Sequence, residues 1–271
     1  MSAFVVVLDA LEIADPEAAA RALAASLGGA VVDHAQALAH SFGLVGAAMP
    51  RERAEATVRA LRSVGCGART APAGLAPGVP RPLTTRLLDP RAADALTAQI
   101  GLTGPPERMP WSRILLVVPA MMQRKAKVAA KKQSGPSFAH KVVGVATGAA
   151  VLSSIRKLGT SKTAERSAWR VDADPMIAIV AANPLRRVHA FAERLDYSVL
   201  GSKMVVGGEN LRPLVAMIRE RCRGDLAGAA LLDGWLAGGP VPEPLWVEDG
   251  NTLARLGRWL LVRSALDRLA A

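Results

Sequence analysis

Met109-Pro110-Trp111-Ser112-Arg113-Ile114-Leu115-Leu116-Val117-Val118 sets one large aromatic immediately before an unbroken apolar run. Its length and its Val, Ile and Leu content predict a buried strand over Ser112–Val118. A lone Trp opening such a strand reads as a core anchor. Upstream, Gly104-Pro105-Pro106 marks a turn, and Leu83–Leu88 and Ala95–Ile100 are two further short strands. Downstream, strand character returns at Met176–Ala182, and Asn183-Pro184 turns the chain. Arg187–Ala192 then alternates polar and apolar residues, the pattern of a half-exposed strand. Glu209–Cys222 follows as a helix with Leu211, Leu214, Val215 and Ile218 on one face and Pro213 near its start, where proline is tolerated.

The segment between the Trp111 strand and Met176 is of another kind. Met121–Arg170 holds eleven Lys and Arg against one acid, Glu165, so it carries +10 of the chain's net +11. Seven of the eight lysines lie there, which marks it as a discrete cassette rather than the tail of a uniformly basic surface. Gln123–Ser134 is a polar run containing Arg124, Lys125, Lys127, Lys131 and Lys132, closed by Ser134-Gly135-Pro136. Ser137–Leu158 reads as one helix, with Ser137 as N-cap and Gly159 as stop. At helical spacing Val145, Val151, Leu152, Ile155 and Leu158 gather on one side with Gly144 and Gly148, opposite Ser153, Ser154 and Lys157. Lys141 precedes its uncharged run of 14 residues and Arg156-Lys157 follow it. Such a run is about 21 Å of helix against a hydrocarbon core of ~30 Å, too short to span. It suits an interfacial helix beside anionic lipid, or close packing through the Gly144-x-x-x-Gly148 face on this chain or a second copy.

Outward to the amino end, Pro72, Gly74, Pro77, Gly78, Pro80 and Pro82 form a Pro/Gly linker. Before it, residues 3–8 (Ala-Phe-Val-Val-Val-Leu) are a buried strand. Asp15-Pro16-Glu17 opens a helix, Asp as N-cap and Pro at the first helical position. Val32–His40 is a second helix, 43–49 a short strand, Arg51–Val64 a third helix, and Cys66–Ala71 a strand, in the order β-α-α-β-α-β. Outward to the other end, Leu226–Leu236 is helical, and Asn251 or Thr252 caps a final helix whose Leu253, Leu256, Trp259, Leu260 and Leu266 face inward.

The β-α-α-β-α-β layout, with its Asp-Pro opening and Val64-Gly65-Cys66-Gly67-Ala68 close, resembles the C-terminal domain of the bacterial ribosomal stalk protein over residues 1–73. The resemblance implies a small α/β domain that docks other proteins through helices. Val31-Val32-Asp33-His34-Ala35 stands where that family has a lysine-bearing helix, so the fold alone carries over. The strands after the linker, the aromatic-led central strand and the closing helix resemble a bacterial pleckstrin-homology-like domain, with the cassette as an insertion. The whole order, including Pro110-Trp111-Ser112-Arg113-Ile114, Leu195-Asp196-Tyr197-Ser198-Val199-Leu200-Gly201 and Glu209-Asn210-Leu211-Arg212-Pro213-Leu214-Val215, resembles an uncharacterised bacterial family that combines these two parts. The expected architecture is α+β. It comprises a stalk-like domain (1–73), a linker (74–82), an antiparallel β domain (83–223) with a basic insertion (121–168), and C-terminal helices packing on it (224–271).

Candidate chemistry is sparse. His34 and His40, six apart, fall on different helix faces, unlike a helical zinc pair. Cys66 and Cys222 have no partner at C-x-x-C spacing and read as free thiols in a reducing compartment. Ser112, Ser198 and Ser202 lie in no Gly-x-Ser-x-Gly elbow. Glu248-Asp249 fits helix capping, and Tyr197 reads as a packed ring with a satisfied hydroxyl. No catalytic residue, metal ligand or cofactor is expected. A non-enzymatic adaptor is. Its anion-binding residues are Arg124, Lys125, Lys127, Lys131, Lys132, Lys141, Arg156 and Lys157, and Val145, Val151, Leu152 and Ile155 form its apolar docking helix. The expected partner is an anionic membrane surface or an acidic protein, with location in the cytoplasm or peripheral to the inner membrane. A solvated insertion that docks on its own domain is a competing reading. So is a nonspecific nucleic-acid binder, since a dense Lys/Arg segment neutralises phosphates without reading sequence. With only Phe138 and Trp169 among its cations, the cassette lacks an aromatic stacking platform.

Overall fold

The computed structural model of the chain describes residues 3–75, 78, 80–101, 104–127, 169–201, 207–222 and 226–270. The architecture is mixed α+β. Met1–Arg124 together with Ala173–Ala271 form one compact unit, and Lys125–Asp172 form a second.

The first elements are β1 (Phe4–Leu8), α1 (Pro16–Leu27), α2 (Val31–Ala39), β2 (Leu44–Met49), α3 (Arg51–Ser63) and β3 (Ala68–Pro72). The Asp15 side chain accepts from the Ala18 N–H at 2.8 Å with Pro16 opening α1, so this helix start follows the expected capping. The sheet order is β2-β1-β3, with β1 antiparallel to both neighbours. Strand side chains alternate, yet Val5, Val6, Val7 and Leu8 are all buried, so both faces of β1 must be covered. Val6 and Leu8 meet Leu23 of α1, Leu38 of α2 and Ala54, Val58 and Leu61 of α3. Val5 and Val7 face a different layer.

That layer is α6 (Gly250–Ala270), and beyond it lies the larger sheet. Its strands are β4 (Leu83–Asp89), β5 (Ala95–Ile100), β6 (Pro106–Pro110), β7 (Ile114–Lys127), β8 (Trp169–Ala181), β9 (Arg186–Phe191) and β10 (Trp246–Val247). They lie in the order β10-β7-β8-β9-β4-β5-β6. Met176, Ala178 and Val180 of β8 point to the α6 side, while Ile177, Ile179 and Ala181 point to the other. There α4 (Gly207–Arg221) brings Leu211, Leu214, Val215 and Ile218, and α5 (Ala229–Leu236) brings Leu232 and Trp235. The layers therefore run α1–α3, small sheet, α6, large sheet, α4 with α5. Each fully buried Leu or Ile in these layers contributes about 1.5–3 kcal/mol by leaving water.

Several expectations change. The strand predicted to end at Val118 continues to Lys127, and β8 begins at Trp169, so strand structure enters both ends of the cassette. Pairing to neighbouring strands overrides the loop character of Arg124, Lys125 and Lys127. Pro106, read as the end of a turn, instead opens a strand that was not predicted, Pro106–Pro110, which lies at the sheet edge beside β5, where prolines do not interrupt a second ladder. The β4–β5, β5–β6 and β8–β9 pairs are antiparallel as expected, whereas β4–β9 and β7–β10 are parallel. Leu226 and Ala227 are not helical; Ala227 instead donates to the Leu115 carbonyl at 2.9 Å. The cap of α6 is neither Asn251 nor Thr252 but Asp249, whose Oδ1 accepts from the Thr252 N–H at 2.7 Å.

α6 was expected to cover the β domain, and it binds the small sheet as well. Trp259 Nε1 donates to the Leu8 carbonyl at 2.8 Å, and Arg69 of β3 reaches Asp267 at 2.9 Å. Gly43, at φ +79°, is seated against the Trp259 indole, and a Cβ there would overlap the ring. With Leu253, Leu256, Trp259, Leu260, Leu261 and Val262 all buried, α6 has apolar residues on more than one side, as a helix between two sheets must. Trp111 and Tyr197 are core residues. Trp111 Nε1 donates to the Ala92 carbonyl at 3.0 Å, and the Tyr197 hydroxyl to the Ala192 carbonyl at 3.0 Å.

Candidate functional site

Three regions of the chain are candidates for a functional site: the basic cassette, the buried face of β9, and a cavity beside α5 and α6. The cassette enters the described residues only at its two ends. Arg124, Lys125 and Lys127 continue β7, and Trp169 and Arg170 open β8. Lys131, Lys132, Lys141, Arg156 and Lys157 lie outside the described residues, as do Val145, Val151, Leu152, Ile155, Gly144 and Gly148. Because β7 and β8 are neighbours in the sheet, the cassette is the connection between two adjacent strands.

The second region was not anticipated. β9 was read as half-exposed from its alternation, but it is an interior strand, with β8 on one side and β4 on the other. Val188 and Ala190 pack toward α4, while Arg187, His189 and Phe191 take the opposite face. Arg187 is 4% exposed and His189 3%, because the amino end of α6 lies over them. Arg187 Nε and Nη1 and His189 Nε2 are sealed from solvent and have no hydrogen-bond partner. Burial lowers the Arg187 pKa. It also lowers that of His189, with the Arg187 charge adding to the effect, to about 4. His189 is therefore a neutral imidazole at neutral pH, with its ring edge-on to Phe191 at 6.5 Å between centroids. The Arg-x-His alternation was visible in the sequence; its covering by a helix some sixty residues later was not.

The two helix histidines make local contacts. His34 Nε2 lies 2.8 Å from the Gly28 carbonyl and His40 Nδ1 2.8 Å from that of Gln36, both short-range contacts at helix ends. Cys66 and Cys222 are free. Burial pushes the Cys222 thiol up to about 11 against the opposing pull of Arg219, so it stays protonated and poorly nucleophilic. Burial, and then the charge of Asp9, raise the Cys66 pKa. Asp249 is held below the usual carboxylate range by the Thr252 N–H. Among the described residues, no three His, Cys, Asp or Glu side chains gather as a metal site would require. Nor is any described helix long and apolar enough to cross a membrane.

The third region is a cavity of about 770 Å³. Leu11, Leu226, Leu231, Leu245, Trp259 and Leu260 give it apolar walls, and Asp9, Glu12, Arg263, Asp267 and Arg268 are its ionisable members. Arg69 ties Asp9 and Asp267 together at 2.9 Å each. Ser264 is its one hydroxyl among the lining residues, which include no His or Cys to activate it.

Comparison of the chain with protein-family models, with curated proteins and with solved structures returned no match in any of the three.

Proposed function

We propose that this protein is a non-enzymatic adaptor that docks on an anionic membrane surface through the β7–β8 connection. One observation carries the reading: +10 of a net +11 sits in residues 121–170, the connection between two neighbouring strands together with the strand ends that lead into it, in an otherwise nearly neutral protein. Charge gathered in one connection and its adjoining strand ends attracts an anionic surface without requiring the rest of the fold to face it. The uncharged run Val142–Ile155, bracketed by Lys141 and Arg156-Lys157, favours lipid over a purely charged partner, because apolar burial and headgroup attraction add at an interface. The resemblance to pleckstrin-homology-like domains, which commonly present basic loops to headgroups, points the same way. On this reading the protein works in the cytoplasm, at the inner face of the membrane.

Vesicle flotation tests it. The full chain is expected to float with vesicles containing phosphatidylglycerol and to stay behind with neutral phosphatidylcholine, and the binding weakens with salt. Val145→Asp with Leu152→Asp is expected to reduce flotation strongly. Flotation unchanged in that double variant leaves charge alone as the cause. No flotation, with a steep salt-dependent shift of duplex DNA lost in the Lys125, Lys127, Lys131, Lys132→Ala variant, replaces membrane docking with nucleic-acid binding.

A further inference from the structure

A strand residue whose side chain is buried between a sheet and a helix is ordinarily apolar, and position 187 holds an arginine. Taking a guanidinium out of water costs several kcal/mol unless a partner compensates it. Arg187 has no carboxylate among its described neighbours, and its Nε and Nη1 have no acceptor of any kind. His189, on the same face of β9, leaves its sealed Nε2 unpartnered too. Both side chains lie against the first residue of α6. A Cβ built on Gly250 would sit 3.7 Å from His189 Cε1, 3.9 Å from Arg187 Nη2 and 3.9 Å from Pro82 Cγ. α6 is 21 residues long, so its amino end carries the positive end of the helix dipole; Asp249 caps the Thr252 and Asn251 N–H groups, which leaves the Gly250 N–H of the first turn. Asp249, next in sequence, has its carboxylate committed to the Thr252 N–H rather than to the guanidinium.

We propose that Arg187, His189 and the amino end of α6 form a binding site for one small oxyanion, the phosphate or carboxylate group of a soluble ligand. Guanidinium and helix amino end are the two groups that most often hold such oxyanions, the first through paired N–H donors and the second through backbone N–H. The imidazole supplies a third donor when its Nε2 carries the proton. Gly250, lacking a side chain, places no Cβ between the helix backbone and the two side chains. The ligand is a soluble one, since a guanidinium 4% exposed lies too deep for a bilayer headgroup to reach. This site is separate from the basic connection and does not depend on membrane docking.

Thermal unfolding of the full chain at fixed ionic strength, with chloride replaced stepwise by inorganic phosphate or by acetate, tests the proposal. The wild type is expected to gain roughly 5 °C in Tm at about a hundredfold excess over Kd of the anion it prefers. Arg187→Met abolishes the gain and, in chloride alone, melts at or above the wild type, because an uncompensated buried charge has been removed. Gly250→Ala, whose Cβ makes only ordinary contacts, keeps the chloride Tm and weakens the anion gain at least fivefold in apparent Kd. The Lys125, Lys127, Lys131, Lys132→Ala variant retains the full gain. Failure of vesicle docking with this gain intact removes only the adaptor reading. No gain in the wild type with either anion, or an equal gain in Arg187→Met, overturns the site.

Discussion

Replacing His189 by Gln is expected to change how stability depends on pH. In the folded chain the imidazole pKa is lowered from 6.5 to about 4, first by burial and then by the Arg187 charge. Once unfolded, the same imidazole titrates near its ordinary value. Above pH 6.5 both states hold it neutral and it contributes no pH dependence. As pH falls through 6.5 the unfolded chain takes up the proton and the folded chain does not, so stability declines until the folded imidazole titrates near 4. One unit of pKa difference corresponds to about 1.36 kcal/mol, which puts the loss at about 2 kcal/mol by pH 5 and about 3 kcal/mol by pH 4. Asp89, Asp233 and Asp249, whose pKa values are lowered, keep their stabilisation through this window and lose it only below their ordinary value of 3.8. Urea midpoints measured every half unit from pH 7.5 to 4.5, for wild type and His189→Gln, isolate the imidazole. The wild type is expected to lose about 1 M in midpoint relative to the variant between pH 7 and 5. Parallel curves for the two proteins across that range would falsify the burial of a neutral His189.

Trp259→Phe removes the N–H that holds the Leu8 carbonyl while keeping most of the packing. A loss of about 1–3 kcal/mol in urea unfolding is expected, with amide exchange accelerating first in β1 and β3; uniform exchange would show that α6 does not hold the small sheet. Gly43→Ala combines a positive φ with overlap on the Trp259 ring. It is expected to lower Tm more than Gly28→Ala, whose Cβ meets nothing within 4 Å, and equal losses would refute the contact. Tyr197→Phe leaves the buried Ala192 carbonyl without its donor, a loss of about 1 kcal/mol, and an unchanged midpoint would place the hydroxyl in water instead.

Much of this architecture was legible from local pattern. Residues 4–8 announced a strand because a β-branched run that short has few other uses, and Asp15-Pro16 announced a helix start through capping chemistry. The Ala95–Ile100 strand was found at its observed bounds. What escaped was whatever depends on a distant segment. Alternation at Arg187 and His189 is the same whether water or a helix covers the polar side, and nothing near residue 187 reveals that Gly250 will lie over it. β10 is two residues long and exists only because it pairs with Met121 and Met122. The strand extension through Arg124, Lys125 and Lys127 likewise reflects pairing, which composition does not display. The candidate sites divide along the same line: the cassette is a feature of composition and was read directly, whereas the Arg187 cluster is a feature of packing.

The position of α6 between the two sheets sets a schedule for the growing chain. Val5 and Val7 leave the ribosome some 240 residues ahead of the helix that covers them. At about 5–20 residues per second, that interval lasts on the order of 10–50 s. During it the small sheet can close against α1, α2 and α3 on one face, while its valine face stays open to water. A nascent chain halted before Gly250 would therefore present a half-finished, adhesive surface, and chaperone capture should peak at those lengths and fall once α6 emerges.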